Sequence, residues 1–213
     1  VSHHHYSIII FYYCRMLILL LAIIIFVYVL IPKYRYPRVF HDFVSPEERH
    51  YIIEQARDKL KPSTVSKDKL VKKNVRQSET AWLSLEDPVI RRIVDKCVAT
   101  IDRPIDNCEN LQVLRYEEGG FYRPHQDTIE GQDNKRMYTF IIALNDGYHG
   151  GATVFPKLGR MYTLNAGDVL FFDTLDNYEF ITSKALHGGM PVTHGEKWIC
   201  NLWVNKYPLT TET

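Results

Sequence analysis

The chain has no Cys-x-x-Cys pair, no block of like charge and, past its N-terminal apolar run, no internal repeat or low-complexity tract. With only four scattered cysteines, Cys14, Cys97, Cys108 and Cys200, no metal-ligand cysteine spacing exists. They read as buried thiols, with a Cys97–Cys108 bridge left open. Charge of one sign is lacking too: 26 Lys and Arg interleave with 25 Asp and Glu, so the phosphate-tracking surface of a nucleic-acid binder is missing and such a partner is disfavoured. At 213 residues with ordinary apolar and charged fractions, the chain can bury one core. One folded domain is expected.

What the sequence does have is a long apolar stretch. Residues 16–31, MLILLLAIIIFVYVLI, carry no charge, and 7–14 extend the run beyond Arg15. About 20 apolar residues cross a bilayer as a helix, so 7–31 reads as a single transmembrane signal anchor, with Arg15 snorkelling. A cleaved signal peptide would have a shorter core and end in small residues, whereas this run ends YVLIPKYRYPR. Tyr28, Tyr34 and Tyr36 suit an interfacial belt. Lys33, Arg35 and Arg38 follow the run, and by the positive-inside rule they would leave the following domain cytosolic.

Beyond a linker at 32–37, the spacing predicts a short strand over 39–43. Next comes a helix capped by Ser45, with Pro46 at its first position and Tyr51, Ile52, Gln55, Ala56 and Leu60 at helical spacing. Residues 61–79, rich in Lys and Ser, read as a mobile loop. A second helix is expected from Pro88 to about Ile101. From Leu111 the period shortens: LQVLRY, FYRPHQD, MYTFIIALN, ATVF, RMYTL, DVLFF and KWICNLWVN predict seven or eight strands of a β-sandwich or jelly roll with the helices packed outside.

Two chemistry-bearing patterns stand out. FYRPHQD places His125 and Asp127 two apart in strand-like sequence, where alternation turns both to one face. His187 completes two imidazoles and a carboxylate, the usual facial triad of non-haem Fe(II) oxygenases. Ten residues on, Lys197 supplies the cation that the far carboxylate of an iron-chelated 2-oxoglutarate requires, since an unpaired buried charge costs several kcal/mol. The connection GGMPVTHGE would let the strands bearing His187 and Lys197 lie antiparallel. Alternation puts Lys197, Ile199, Asn201, Trp203 and Asn205 on one face, so Trp203 looks into the cavity that holds Lys197. His41, His50, His149 and His194 have no evident partner, and His3–His5 read as nonspecific.

Residues 38–205 resemble the catalytic domain of prolyl 4-hydroxylases, including the small viral, algal and plant-type enzymes. The likeness lies in VFHDFVSPEE, VRQSETAW, LQVLRYEEGGFYRPHQD, GGATVFP, GDVLFF and HGGMPVTHGEKW. It implies an α+β fold: a double-stranded β-helix (jelly-roll) core with flanking N-terminal helices, preceded by a single transmembrane helix. The domains would be a tail at 1–6, the anchor at 7–31, the linker at 32–37, an Fe(II)/2-oxoglutarate dioxygenase domain at 38–207 and a tail at 208–213. Iron would be held by His125, Asp127 and His187, and 2-oxoglutarate by Lys197 with the hydroxyls of Tyr116 and Thr153. Arg136, Tyr122 and Trp203 would line the peptide groove, and Arg76, in the segment 76–82 that matches a mobile substrate loop, would also bind substrate.

The resemblance further implies a proline-containing peptide substrate, O2 as co-reactant, release of succinate and CO2, and L-ascorbate to restore oxidised iron. It implies an endoplasmic-reticulum type II orientation, against the charge rule above. Two departures bear on the substrate: Ala152 stands where the family often has Glu, and the link from Asp127 to Arg136 is short. An oxygenase acting on another residue and a non-catalytic jelly-roll binding module stay open, as does oligomeric state.

Overall fold

The computed structural model describes residues 2–64 and 70–209, with side chains from residue 11 onward. The chain divides into two compact units, Val1–Lys33 and Tyr34–Thr213. The first is a single helix, α1 (Ser2–Leu30). Its segment Phe11–Leu30 is long and apolar enough to cross a membrane, spanning about 30 Å at the rise of an α-helix.

The second unit begins with β1 (Arg38–Phe40) and α2 (Pro46–Arg57). The strand stops short of Phe43 because Asp42 takes a positive φ of 50° and turns the chain. Helix α2 starts as its sequence dictates. The Ser45 hydroxyl accepts the Glu48 N–H (3.2 Å), and the Glu48 carboxylate accepts the Ser45 N–H (2.9 Å), a reciprocal capping box. Next come β2 (Lys61–Pro62), β3 (Arg76–Gln77), β4 (Glu79–Leu83) and α3 (Pro88–Val98), the last capped by Asp87 on the N–H groups of Val89 and Ile90. Both helices end three residues before the apolar spacing does. Leu60 and Ile101 pack on the core from the turns that follow, which prolongs the pattern without prolonging the helix.

The remaining strands are β5 (Leu111–Tyr116), β6 (Phe121–His125), β7 (Arg136–Ala143), β8 (His149–Gly150), β9 (Thr153–Phe155), β10 (Arg160–Tyr162), β11 (Val169–Asp173), β12 (His187–Gly189), β13 (Val192–His194) and β14 (Lys197–Asn205). All pairings are antiparallel. A major sheet runs β1-β11-β7-β14-β5-β4-β2, a minor sheet β10-β9-β12-β6-β3, and β8 pairs with β13 in a short ribbon. From Leu111 onward ten strands among the described residues, β5–β14, exceed the seven or eight expected, and part of the 61–79 loop is in fact strand: β2, β3 and the start of β4. These pieces are too short to carry a period. Residues 65–69 of that loop lie outside the described residues.

Alternation along the major sheet divides the core in two. Val113, Phe140, Ile142, Trp198, Cys200, Leu202 and Val204 face Ile52, Ala56, Ile90, Ile93, Val94 and Cys97 of the two helices. The opposite residues, Leu114, Tyr116, Ile141, Ala143, Leu170, Phe172 and Ile199, pack with Phe155 and Tyr122 of the minor sheet. The two sheets thus share an interior, an arrangement consistent with a jelly roll. Cys97, Cys108 and Cys200 are buried free thiols, so the bridge left open between Cys97 and Cys108 is not formed.

Candidate metal centre and cosubstrate pocket

His125 and His187 are direct register partners on β6 and β12, which sets their rings 4.5 Å apart. The register slips between His187 and Gly189, and Gly188 lies against β6. A Cβ there would sit 2.9 Å from Pro124 N and Tyr122 O, so only glycine lets the two strands approach this closely. Asp127 arrives differently from the expectation of strand alternation. Strand β6 ends at His125, and Asp127 turns inward from the irregular segment after it.

The three residues each offer one ligand atom, all within 4.8 Å of one another. Asp127 Oδ1 is 3.6 Å from His125 Nε2, and Oδ2 is 3.6 Å from His187 Nε2. The Nδ1 of each ring lies 3.0 Å from a carbonyl oxygen, that of Arg123 for His125 and of Ala185 for His187. A carbonyl only accepts, so each Nδ1 donates and each Nε2 keeps its lone pair for a metal. Thr139 on β7 donates to Asp127 Oδ2 at 2.7 Å and fixes the carboxylate.

Burial raises the Asp127 pKa, but the His187 and His125 imidazoles outweigh it and hold the carboxyl well below the usual range. Burial pushes His187 down to about 4, against the pull of Asp127. An ionised carboxylate beside a neutral imidazole is the protonation state that metal binding demands.

Lys197 begins β14 opposite Tyr116 of β5, on the interior face. It is buried, and its ammonium donates to the Gly151 carbonyl at 2.6 Å. Its Nζ lies 5.7 Å from the Tyr116 ring centre and 6.0 Å from that of Tyr148. Among the described residues no carboxylate comes within ion-pair distance, and burial pushes its pKa down to about 8. A buried cation without a counter-charge fits the far carboxylate of a diacid whose other end reaches the metal. Thr153 is buried on β9, two residues past Gly151 and paired with Gly189 of β12.

The connection from His187 to Lys197 is not the simple antiparallel link expected: β12 and β14 belong to different sheets, and β13 intervenes, paired with β8. The two side chains therefore come from different sheets rather than from neighbouring strands of one sheet.

Above the metal cluster a cleft of about 310 Å³ is lined by all four residues expected to bind substrate, Arg76, Tyr122, Arg136 and Trp203, together with His125 and Asp127. Tyr122 stacks on His125 with centroids 3.6 Å apart, and the Arg76 guanidinium lies 4.6 Å over its ring. Arg136 is held by Glu109 through two hydrogen bonds of 2.6 and 2.7 Å and lies 3.6 Å over the Trp203 ring. Four cleft atoms are buried without a hydrogen-bond partner among the described residues: Arg76 Nη2, Gln126 Oε1, Asn201 Oδ1 and Trp203 Nε1. Glu109, Gln126, Asn201 and Thr139 escaped the sequence reading as site residues. Only Asn201 carried a signal, sharing strand parity with Lys197 and Trp203. His41 and His194 do have neighbours, Asp168 at 3.1 Å and Glu118 at 3.7 Å.

Two imidazoles and a carboxylate converging within one fold, together with a buried lysine that has no counter-charge among the described residues, define the class of iron- and 2-oxoglutarate-dependent oxygenases. Residues 111–205 match the 2OG-Fe(II) oxygenase superfamily. A protein of Acanthamoeba polyphaga mimivirus that carries a provisional prolyl 4-hydroxylase name is 34% identical over 182 residues, 80% of this chain and 74% of that protein. Prolyl 4-hydroxylase 1 of Arabidopsis thaliana is 33% identical over 192 residues, 79% of this chain and 68% of the relative. Among solved structures, the viral collagen prolyl hydroxylase of Paramecium bursaria Chlorella virus-1, in complex with 2-oxoglutarate, aligns with a TM-score of 0.64 and 27% identity, over 81% of this chain and 97% of that one.

The chain belongs to the prolyl 4-hydroxylase family of 2-oxoglutarate- and Fe(II)-dependent dioxygenases. Its cofactors are Fe(II), 2-oxoglutarate and O2, and ascorbate is typical of the family.

Proposed function

We propose that the protein is a membrane-anchored prolyl 4-hydroxylase acting on proline within peptides or proteins. In this reading His125, Asp127 and His187 hold the iron, Lys197 holds the far carboxylate of 2-oxoglutarate, and Tyr116 and Thr153 contribute hydroxyls to it. The observation that carries the reading is the buried Lys197, without a counter-ion among the described residues, in the same fold as three converging ligand atoms. When bound, iron and 2-oxoglutarate supply oxidative hydroxylation: the keto acid loses CO2 to become succinate, one oxygen atom of O2 entering it and the other the proline C4–H bond.

The chain's own residues orient and exclude. The Nδ1 donors to the Arg123 and Ala185 carbonyls fix both imidazoles so that their Nε2 atoms would be free to hold the metal, and Thr139 holds the carboxylate. Phe155 and Phe172, with ring centres 5.6 and 4.7 Å from that of His187, close the apolar side of the centre against water. Trp203 and Tyr122 build the aromatic part of the cleft wall, where Arg136 and Arg76 already lie over their rings. The unpartnered atoms of Arg76, Asn201, Gln126 and Trp203 offer donors and acceptors to a peptide backbone, whose binding would relieve their desolvation.

Anchoring rests on α1, which is apolar around its whole circumference over a length that matches a bilayer core. The catalytic unit would occupy the residues from Tyr34 onward.

The test is mass spectrometry of a proline-rich peptide library incubated with enzyme, Fe(II), 2-oxoglutarate and ascorbate. Addition of one oxygen at proline with stoichiometric succinate is expected, and His125→Ala should abolish both. Oxygen on another residue type would reject prolyl specificity while leaving the oxygenase intact. Retention in the membrane pellet after alkaline carbonate extraction checks the anchor.

A further inference from the structure

The segment between the apolar helix and β1 has the composition of a linker, yet Tyr34–Pro37 is bonded to the catalytic unit at four points. Arg35 grips Asp173 with two hydrogen bonds, Nε to Oδ2 at 2.6 Å and Nη2 to Oδ1 at 2.7 Å. The Tyr34 hydroxyl donates to the Asp173 carbonyl at 2.8 Å, and the Tyr162 hydroxyl donates to the Pro37 carbonyl at 3.3 Å. Pro37 itself is buried. Asp173 is only 8% exposed, and Arg35 is its one ion-pair partner among the described residues. Without the guanidinium, a largely buried carboxylate would lose both charge-assisted bonds.

From Asp173 a short chain of bonds leads to the cleft. Asp173 is the last residue of β11 and pairs with Tyr138 of β7. The next residue, Thr174, donates its N–H to the Met137 carbonyl at 3.0 Å, and its hydroxyl donates to the Arg136 carbonyl. Thr128, adjacent to Asp127, donates to the same carbonyl at 2.6 Å. Arg136 is the residue stacked on Trp203 in the cleft wall. The start of β7 is thus held from behind by Thr174, whose own place is set by the end of β11 and the arginine bound there.

We propose that Arg35 is a positioning residue for the peptide cleft: by clamping Asp173 it fixes Thr174 and, through it, the backbone of Arg136 and Met137 against which the substrate wall is built. The stretch from Tyr34 to Pro37 is then part of the catalytic unit rather than a spacer. The inference rests on the reading of the cleft as a peptide site.

The experiment uses the full chain in detergent or nanodiscs. For Arg35→Ala, KM for an unmodified proline peptide that the wild type hydroxylates should rise about three- to tenfold, the loss of one or two net hydrogen bonds, while KM for 2-oxoglutarate stays within about twofold. Arg35→Lys keeps the charge without the fork, so it should recover part of the loss. Hydrogen exchange at the Thr174 amide, which needs no substrate, should quicken in Arg35→Ala. Unchanged peptide KM and unchanged Thr174 exchange would overturn the inference while leaving the peptide reading in place. Equal rises in both KM values would assign Arg35 to general stability instead and would also overturn it. A wild-type chain that modifies no peptide would defeat the peptide reading, and Thr174 exchange would then decide the clamp alone. If Arg35→Ala does not fold, Arg35→Lys carries the same comparison with a smaller expected shift.

Discussion

Replacing Lys197 by Met separates the cosubstrate's needs from the fold's. The ammonium is buried, has a single hydrogen bond to the Gly151 carbonyl and faces no carboxylate among the described residues. Burial alone brings its pKa from 10.5 to about 8. At about 1.4 kcal/mol per pKa unit, this corresponds to about 3–4 kcal/mol of unrelieved desolvation in the cosubstrate-free protein at neutral pH. The sign follows from proton counting. Between about pH 8 and 10.5 the unfolded lysine binds more protons than the folded one, so this group makes stability rise with pH across that window. Below pH 8 both forms are protonated and the full penalty is present.

Met lacks the charge and nearly matches the volume, so Lys197→Met should leave the cosubstrate-free domain at least as stable as the wild type at pH 7, by urea unfolding. Binding of 2-oxoglutarate should suffer instead. Removing one partner of a buried ion pair costs about 3–5 kcal/mol, more than a hundredfold in Kd. Titration with Mn(II) in place of iron measures that Kd without turnover. In the wild type, Kd should climb as pH rises past about 8, because the lysine must be charged to bind the carboxylate, and the variant should lack this dependence. A variant less stable than the wild type, with Kd changed by less than about fivefold, would refute the assignment of Lys197 to the cosubstrate.

Thr139→Val removes the bond that orients Asp127 and should weaken metal affinity about tenfold, read by competition with a chelator. Gly188→Ala would push a methyl to within 2.9 Å of β6 backbone; an overpacking penalty of about 1–3 kcal/mol should lower Tm by several degrees. Metal binding should weaken along with it, because His187 is the neighbouring residue. Arg136→Lys loses both the fork on Glu109 and the stacking on Trp203, so peptide KM should rise about tenfold with 2-oxoglutarate KM unchanged in steady-state assays.

The sequence was most legible where one physical constraint acted along the whole element. Strand β14 has the bounds expected because it lies at the centre of the major sheet, with one face against the helices and the other in the barrel, and every second residue answers to one of them. Ser45 starts its helix as expected because capping is local chemistry, and Asp87 does the same for α3 although the sequence reading did not name it. The pairing of His125 with His187, 62 positions apart, left no periodic trace. The motif suggested that they meet, and the missing side chain at Gly188 is what lets the strands come together. Asp127 was expected in the right place for a partly wrong reason, since the strand ends before it. Glu109 and Thr139 were silent because their roles exist only through Arg136 and Asp127, residues they contact across the fold.

The most direct test of the four-residue site is anomalous diffraction from crystals grown without oxygen in the presence of Fe(II) and 2-oxoglutarate. The account predicts a single iron peak about 2.0–2.2 Å from His125 Nε2, an Asp127 carboxylate oxygen and His187 Nε2, with the far carboxylate of the diacid on Lys197 Nζ. Iron bound elsewhere, or a diacid whose far carboxylate points away from Lys197, would contradict it.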